Sequence, residues 1–265
     1  MATDFTYTDR LQRLQLSYGR LATSPSGSAF TLLFVHGGFH GAWCWSPFLA
    51  FFQQHNISTA ALDLRGHGGL PTPPDFIRAG AKEMAADIAE AAAALQKPIV
   101  LVSHSMGALA AMAASESIKP AGFVLIAPAP PANVDVRTMP PLPDAAAIDP
   151  PPPERMRRWL LQGGGVDLDP YRARLCPESP AFLNDCYRRT ISVDPSWVNG
   201  PTLCLSGALD DSPLHPAGQD EAVAAFYGAE LHKIPGAGHC LMLDATWETS
   251  AQLILDWLKR HKLTS

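Results

Sequence analysis

The chain has 265 residues, 47% hydrophobic and 17% charged, with a net charge of −5 and a pI near 6.0. This is enough apolar residue to close one large core with an inserted subdomain, and the lack of a basic excess argues against nucleic acid or an anionic membrane as partner. No run reaches the roughly 18 apolar residues needed to span a bilayer, and Met1-Ala2-Thr3-Asp4-Phe5 lacks the basic-then-apolar start of a secretion signal, so a cytoplasmic location is expected.

Residues 11–18 are of mixed polarity and read as a first edge strand. A clear signal begins at Phe30-Thr31-Leu32-Leu33-Phe34-Val35, an apolar run suited to a strand buried on both faces of a parallel sheet. It leads into His36-Gly37-Gly38-Phe39-His40-Gly41-Ala42-Trp43, where glycines permit positive φ and let backbone N–H groups point into a cleft. Gly38 is the candidate donor. Helical periodicity follows over Trp45 to Phe52, then a strand at Ser58 to Asp63. The turn Leu64-Arg65-Gly66-His67-Gly68-Gly69 lacks the GxGxxG pattern of a dinucleotide site, and Asp63 and Arg65 read as its ties. Ala81, Met84, Ile88, Ala91 and Leu95 recur at helical spacing up to Lys97-Pro98.

Pro98-Ile99-Val100-Leu101-Val102 predicts the next strand and Ala108 to Ala114 the next helix. Between them lies Ser103-His104-Ser105-Met106-Gly107. A serine with small residues two positions away on either side, set between strand and helix, has the pattern of a nucleophile elbow, whose strained turn lifts the hydroxyl clear of the sheet. The plainer role for Ser105 is a helix N-cap. Another buried strand is expected at Gly122 to Ala127.

The character of the chain changes at Pro128. Prolines come singly and in runs as far as Pro153, a density no strand survives. Helices are predicted around Glu154 to Gln162 and Pro180 to Tyr187, on either side of Gly163-Gly164-Gly165. Residues 129–198 therefore read as an inserted, Pro-rich helical lid, and 1–128 and 199–265 as two parts of one core. The core resumes with a strand at Pro201 to Ser206, a helix at Asp220 to Tyr227, a strand at Glu230 to Ile234 and a closing helix with Trp247, Ala251, Ile254, Leu255 and Leu258 on its apolar face. Strands alternating with helices imply an α/β fold with a doubly wound, mostly parallel sheet.

Ser105, Asp210 and His239 each follow a predicted strand, at the sheet edge where ligands bind in such folds. Serine is a weak nucleophile until an imidazole accepts its proton, and the imidazole needs a carboxylate to fix its tautomer. Asp211, next to Asp210, and Asp135, after the preceding strand, are alternative acids. His36 and His104 read as structural. The His36 to His40 spacing lies on a Gly-rich loop, where it does not make a zinc site. Five scattered cysteines, Cys44, Cys176, Cys186, Cys204 and Cys240, have no CxxC spacing and read as reduced, packed thiols.

From about Thr31 to the C-terminus, apart from the lid, the chain resembles the α/β-hydrolase superfamily. The residues that carry the likeness are His36-Gly37-Gly38, Asp63-Leu64-Arg65-Gly66-His67-Gly68, Ser103-His104-Ser105-Met106-Gly107, Gly207-Ala208-Leu209-Asp210 and Gly238-His239. The resemblance implies a serine esterase or lactonase with Ser105 as nucleophile, His239 as base and Asp210 as acid. It further implies an oxyanion hole from the backbone N–H groups of Gly38 and Met106, a small-molecule ester or lactone as substrate, and no metal or organic cofactor. Phe39, Trp43, Trp45, Trp159, Leu160 and Phe182 are candidates for the substrate pocket, each equally compatible with core packing.

Gly41-Ala42-Trp43-Cys44-Trp45 is similar to the plant methylesterase and hydroxynitrile lyase branch. Lyases of that branch carry lysine after the histidine; Cys240 stands there in this chain, which disfavours cyanohydrin cleavage. The serine at the elbow argues against haloalkane dehalogenases and epoxide hydrolases, which place aspartate there. A cofactor-free oxygenase or perhydrolase would keep the same three residues. A non-enzymatic small-ligand receptor on this fold would have no chemical need of them.

Overall fold

The computed structural model describes residues 12–263. The N-terminal pentapeptide read for a secretion signal lies outside them, as does the first residue of the expected edge strand. The strands are β1 (Gln12–Gln15), β2 (Arg20–Ser24), β3 (Thr31–Val35), β4 (Ser58–Asp63), β5 (Ile99–His104), β6 (Gly122–Ile126), β7 (Thr202–Gly207) and β8 (Glu230–Ile234). They form one sheet in the order β1-β2-β4-β3-β5-β6-β7-β8. β2 runs antiparallel to both its neighbours, and the other pairings are parallel.

Alternate residues of the central strands feed two separate cores. Leu32 and Phe34 of β3 join Val100 and Val102 of β5 on one face, while Leu33, Val35 and Leu101 pack on the other. The first face is covered by α1 (Ser46–Gln54) and α8 (Trp247–Arg260), which place Phe48, Phe52, Ile254 and Trp257 against it. The second is covered by α2 (Ala81–Leu95) and α3 (Met106–Ile118), whose many alanines allow the two helices to lie close. α7 (Gln219–Tyr227) adds Val223 to the second core. Each fully buried Leu or Phe contributes roughly 1.5–3 kcal/mol, so the central strands are the rigid part that carries the loops at their carboxyl ends.

The sequence expectations differ from this sheet in three places. The mixed segment at 11–18 contains β1 but also the turn into β2, a strand not anticipated because its alternating residues are only partly apolar. β5 extends two residues further than expected, so Ser103 and His104 belong to the strand and the turn falls on Ser105 alone. Residues 129–198 hold no strand of the sheet; they carry α4 (Pro153–Trp159), α6 (Pro180–Arg188) and, between them, the unanticipated five-residue α5 (Leu168–Arg172). That short helix is held from outside, by Tyr171 Oη at 2.9 Å from His40 Nε2.

Candidate active site

The end of β5 creates the site. Ser105 adopts φ 51° and ψ −124°, a conformation that L-residues rarely occupy. Neighbouring backbone holds it there: Ser105 N–H donates to Ile126 O at 3.0 Å and Ala129 N–H donates to Ser105 O at 3.0 Å. Glycine is required at 107, where a Cβ would lie 2.0 Å from the His36 carbonyl oxygen. Ser105 forms no side-chain cap bond to α3, so its hydroxyl is left to other work.

That hydroxyl meets His239. Ser105 Oγ lies 2.9 Å from His239 Nε2, and His239 Nδ1 lies 2.7 Å from Asp210 Oδ2. Asp210 follows β7 and His239 follows β8, so adjacent parallel strands deliver the two partners. His104 Nε2 lies 3.0 Å from His239 O and Gln162 Oε1 accepts from His239 N–H at 3.2 Å, which fixes the backbone of the histidine loop. Asp211 is exposed, and Asp135 is exposed on the loop after β6. Burial alone would raise the Asp210 carboxyl, but the charge and hydrogen bond of His239, with His215 behind them, hold it below the ordinary carboxylate value. Asp210 Oδ1 and Gln162 Nε2 make no hydrogen bond of ordinary geometry, although the Gln162 amide is close enough to help lower the carboxyl.

The loop after β3 faces the elbow. Its positive φ falls on Phe39, at 66°, and on none of Gly37, Gly38 and Gly41. Gly38 lies close to the elbow helix: a Cβ there would sit 2.6 Å from Met106 Sδ, so the flexible Met106 side chain would have to move to admit one. The N–H groups of Gly38 and Met106 donate to none of the described residues. His36 Nε2 accepts from Leu64 N–H at 3.2 Å, and Asp63 Oδ1 accepts from Ala42 N–H at 2.7 Å, so both ends of the loop are tied to the end of β4. Arg65 pairs with Asp87 of α2 at 2.6 Å.

Two groups that the sequence did not single out support this frame. Glu178, fully buried, accepts from Phe39 N–H at 3.2 Å and from His67 Nε2 at 3.0 Å, with Ser179 N–H on its other oxygen at 2.8 Å. His67 Nδ1 lies 2.8 Å from Arg65 O, so both ring nitrogens face acceptors. Burial lowers the His67 pKa, but the Glu178 carboxylate outweighs it and raises the value overall. Glu178→Ala should destabilise the fold, because it leaves the buried donors of His67, Phe39 and Ser179 without their acceptor, at about 1–3 kcal/mol for each donor so orphaned, and urea unfolding would measure this. The contribution of His67 to stability is complete below about pH 6.5 and is lost as pH rises through the raised folded value. The wild-type urea midpoint should carry that slope and Glu178→Gln should flatten it.

His215 is the second unanticipated group. Ser212 N–H donates to His215 O at 3.2 Å and His215 N–H donates to Ser212 O at 3.1 Å, folding the loop after β7 back on itself. This puts His215 Nε2 at 2.9 Å from Asp220 Oδ1 and 3.6 Å from Asp210 Oδ2. Asp210, His215 and His239 each offer a ligand atom within 4.8 Å of one another. A metal ion bound at about 2.0–2.2 Å would have to force apart the Asp210–His239 hydrogen bond, so the residues fit that bond better than an ion.

A cleft with about 840 Å³ of space including its open mouth leads to Ser105 and His239. Of the six pocket candidates, Phe39, Trp159 and Leu160 line it. The other three do not. Trp45 and Phe182 are core residues, Trp45 packed on Phe34 with ring centroids 5.1 Å apart, and Trp43 lies under the Arg174 guanidinium, 4.3 Å from its ring centroid. Leu183, Tyr187 and Met139 from the 129–198 segment and Pro213 and Leu214 from the β7 loop complete the apolar wall. The cysteines among these elements form no disulfide; burial pushes the Cys176 thiol up to about 12 and the Cys240 thiol higher still. Among the described residues, no helix is long and apolar enough to cross a membrane.

A family model described as "Alpha/beta hydrolase family" matches residues 32–252, most of the chain. The chain belongs to the alpha/beta hydrolase family. Among similar proteins, the "Probable esterase PIR7A" of Oryza sativa subsp. indica is 36% identical over 104 residues, 38% of this chain and 39% of the rice protein. The human "Protein phosphatase methylesterase 1" is 38% identical over 97 residues, 34% of this chain and 24% of that protein. The match thus spans less than half the length of these curated relatives. In overall fold this alpha/beta hydrolase is similar to the methylesterase MES16 of Arabidopsis, with a TM-score of 0.70 at 17% identity, covering 87% of this chain and 99% of that one. It is also similar in fold to the N-acyl homoserine lactonase AidH, with a TM-score of 0.71 at 19% identity, covering 94% and 97% of the two chains.

Proposed function

We propose that this alpha/beta hydrolase is a serine hydrolase of small to medium carboxylic esters or lactones. The observation that carries the reading is the continuous line from Ser105 Oγ through His239 to Asp210, at 2.9 and 2.7 Å, raised on a strained turn beside two unused backbone donors. Ser105 Oγ attacks the carbonyl carbon and passes its proton to His239 Nε2. The oxygen that becomes negative is received by the N–H groups of Gly38 and Met106, which have no other partner among the described residues. His239 then gives the proton to the departing alkoxide. A water molecule, deprotonated by the same imidazole, cleaves the acyl-serine and restores the hydroxyl. Relatives named as esterases and methylesterases support cleavage of the same class of bond.

A fluorophosphonate probe tests this directly. Labelling is expected on the peptide that contains Ser105, with loss of activity toward aryl esters in step with labelling. No label, together with aryl esters and a lactone panel left intact, would sink the reading.

A further inference from the structure

Among the described residues, two arginines line the cleft and no aspartate or glutamate does, in a chain whose net charge is −5. Arg189 stands at the end of α6, in a left-handed conformation with φ 56° that turns it back from the helix. Its guanidinium has one short hydrogen bond, from Nη2 to the Arg137 carbonyl at 2.7 Å, and two long ones, to Pro130 O at 3.4 Å and Gln219 Oε1 at 3.5 Å. Its Nε is shut off from solvent without a partner. No carboxylate lies within ion-pair distance of Arg189 or Arg137 among the described residues, and the Arg137 side chain donates no hydrogen bond to them. A half-buried guanidinium that has lost water and gained no counter-ion is costly, and its pKa is lowered by that burial.

The position of this cation relates it to the chemistry. Gln219, which accepts from Arg189, also donates from Nε2 to Pro128 O at 3.1 Å and lies 2.9 Å from His215 Nδ1. His215 stands beside Asp210. Arg189 is thus two side chains removed from the acid of the triad, and it lines the same cleft as the apolar groups of Met139, Trp159, Leu160 and Tyr187. Apolar walls strengthen the attraction between a cation and an incoming anion, and the long bonds to Pro130 O and Gln219 Oε1 are ones that a charge-assisted bond to a carboxylate would readily replace.

We propose that the substrate of this site carries a free carboxylate, bound by Arg189 with Arg137 at its side while the ester sits at Ser105. The proposal rests on the hydrolase reading and adds a substrate class to it: esters of which either the acyl or the alcohol part is an acid anion. The uncharged cleft wall would hold the linking carbons. Arg189 is then a specificity-determining residue, with no part in the bond-breaking steps.

Two matched pairs of esters test it, one with the carboxylate on the acyl side and one with it on the alcohol side. They are 4-nitrophenyl hydrogen glutarate against 4-nitrophenyl valerate, and 4-acetoxybenzoate against phenyl acetate. The quantity read is the ratio of kcat/KM within a pair, so a general loss of folded or active enzyme cancels. In at least one pair, Arg189→Gln is expected to lower the anionic-to-neutral ratio about 10- to 100-fold, and the more exposed Arg137→Gln to lower it about threefold. Unchanged ratios in both pairs for Arg189→Gln would overturn the proposal while leaving the hydrolase reading intact. If no ester is cleaved and Ser105 is not labelled, the hydrolase reading fails by itself. Calorimetric titration with glutarate then decides the anion site: binding in the wild type that Arg189→Gln weakens at least tenfold supports it, and its absence overturns it.

Discussion

Ser105→Ala is expected to lower ester turnover on the order of 10⁶-fold. The size of the loss follows from the role proposed for the side chain: in that mechanism no acyl-enzyme forms without the hydroxyl, and only water remains as nucleophile. The variant should still fold. Ser105 Oγ contributes one hydrogen bond, to His239 at 2.9 Å, and a single such bond is worth about 1 kcal/mol. The turn is held by its backbone bonds to Ile126 and Ala129, which alanine keeps. Steady-state rates on an aryl ester, paired with a urea midpoint, separate the two effects. A variant that folds normally and keeps wild-type turnover would remove Ser105 from the mechanism. One with residual activity about 10³–10⁴-fold above the uncatalysed rate would fit donors at Gly38 and Met106 that still receive the oxyanion.

Most of the sheet is legible in the amino-acid sequence, because its signals are local. β4 and β8 run over the residues their apolar patterns indicate, and α2 follows its helical spacing from Ala81 to Leu95. The elbow is legible for the same reason: strand, small residue, serine, small residue and helix lie within a few positions of each other. β2 is not, since Arg20 to Ser24 owes its place to long-range register, with Leu21 paired to Leu62 and to Leu14 on its two sides. The pocket walls are legible only in part. Trp45 and Phe182 are as apolar as Trp159 and Leu160, and apolarity does not distinguish a wall that faces a cleft from one that faces the core.

Glu178 and His215 show why supporting residues escape a reading of motifs. Glu178 reaches Phe39 across 139 residues of sequence and His67 across 111. Nothing around it in Cys176-Pro177-Glu178-Ser179-Pro180 signals a buried ion pair. Its location beneath the loop after β3 nevertheless joins the 129–198 segment to the residues expected to receive the oxyanion, so a change in that segment would be felt at Gly38. His215 is nearer to its partners in sequence, but its neighbours Leu214 and Pro216 carry no period from which its orientation follows.

Asp210→Asn is expected to lower turnover about 10⁴-fold at neutral pH, while Asp211→Asn stays within a few-fold of wild type. In the proposed mechanism Asp210 Oδ2, 2.7 Å from His239 Nδ1, is the acceptor that keeps the imidazole proton on Nδ1 and leaves Nε2 free to take the proton of Ser105. An asparagine amide turned toward His239 donates instead, and the imidazole then protonates on the side that faces the serine. Asp211 is exposed and cannot take over. Asp220 is close, yet it is engaged by His215 at 2.9 Å and belongs to α7, so it would need His215 to leave before it met His239. Because the Asp210 carboxyl is held below its ordinary value, the ionised form and the stability it brings persist above about pH 3.9 and are lost only as pH falls through the lowered value. Stopped-flow acylation rates for the two variants, with chemical denaturation as a control, would distinguish the acids. A severe loss in Asp211→Asn with Asp210→Asn unharmed would reverse the assignment, and equal mild losses in both would point to a mechanism that does not use a buried carboxylate behind His239.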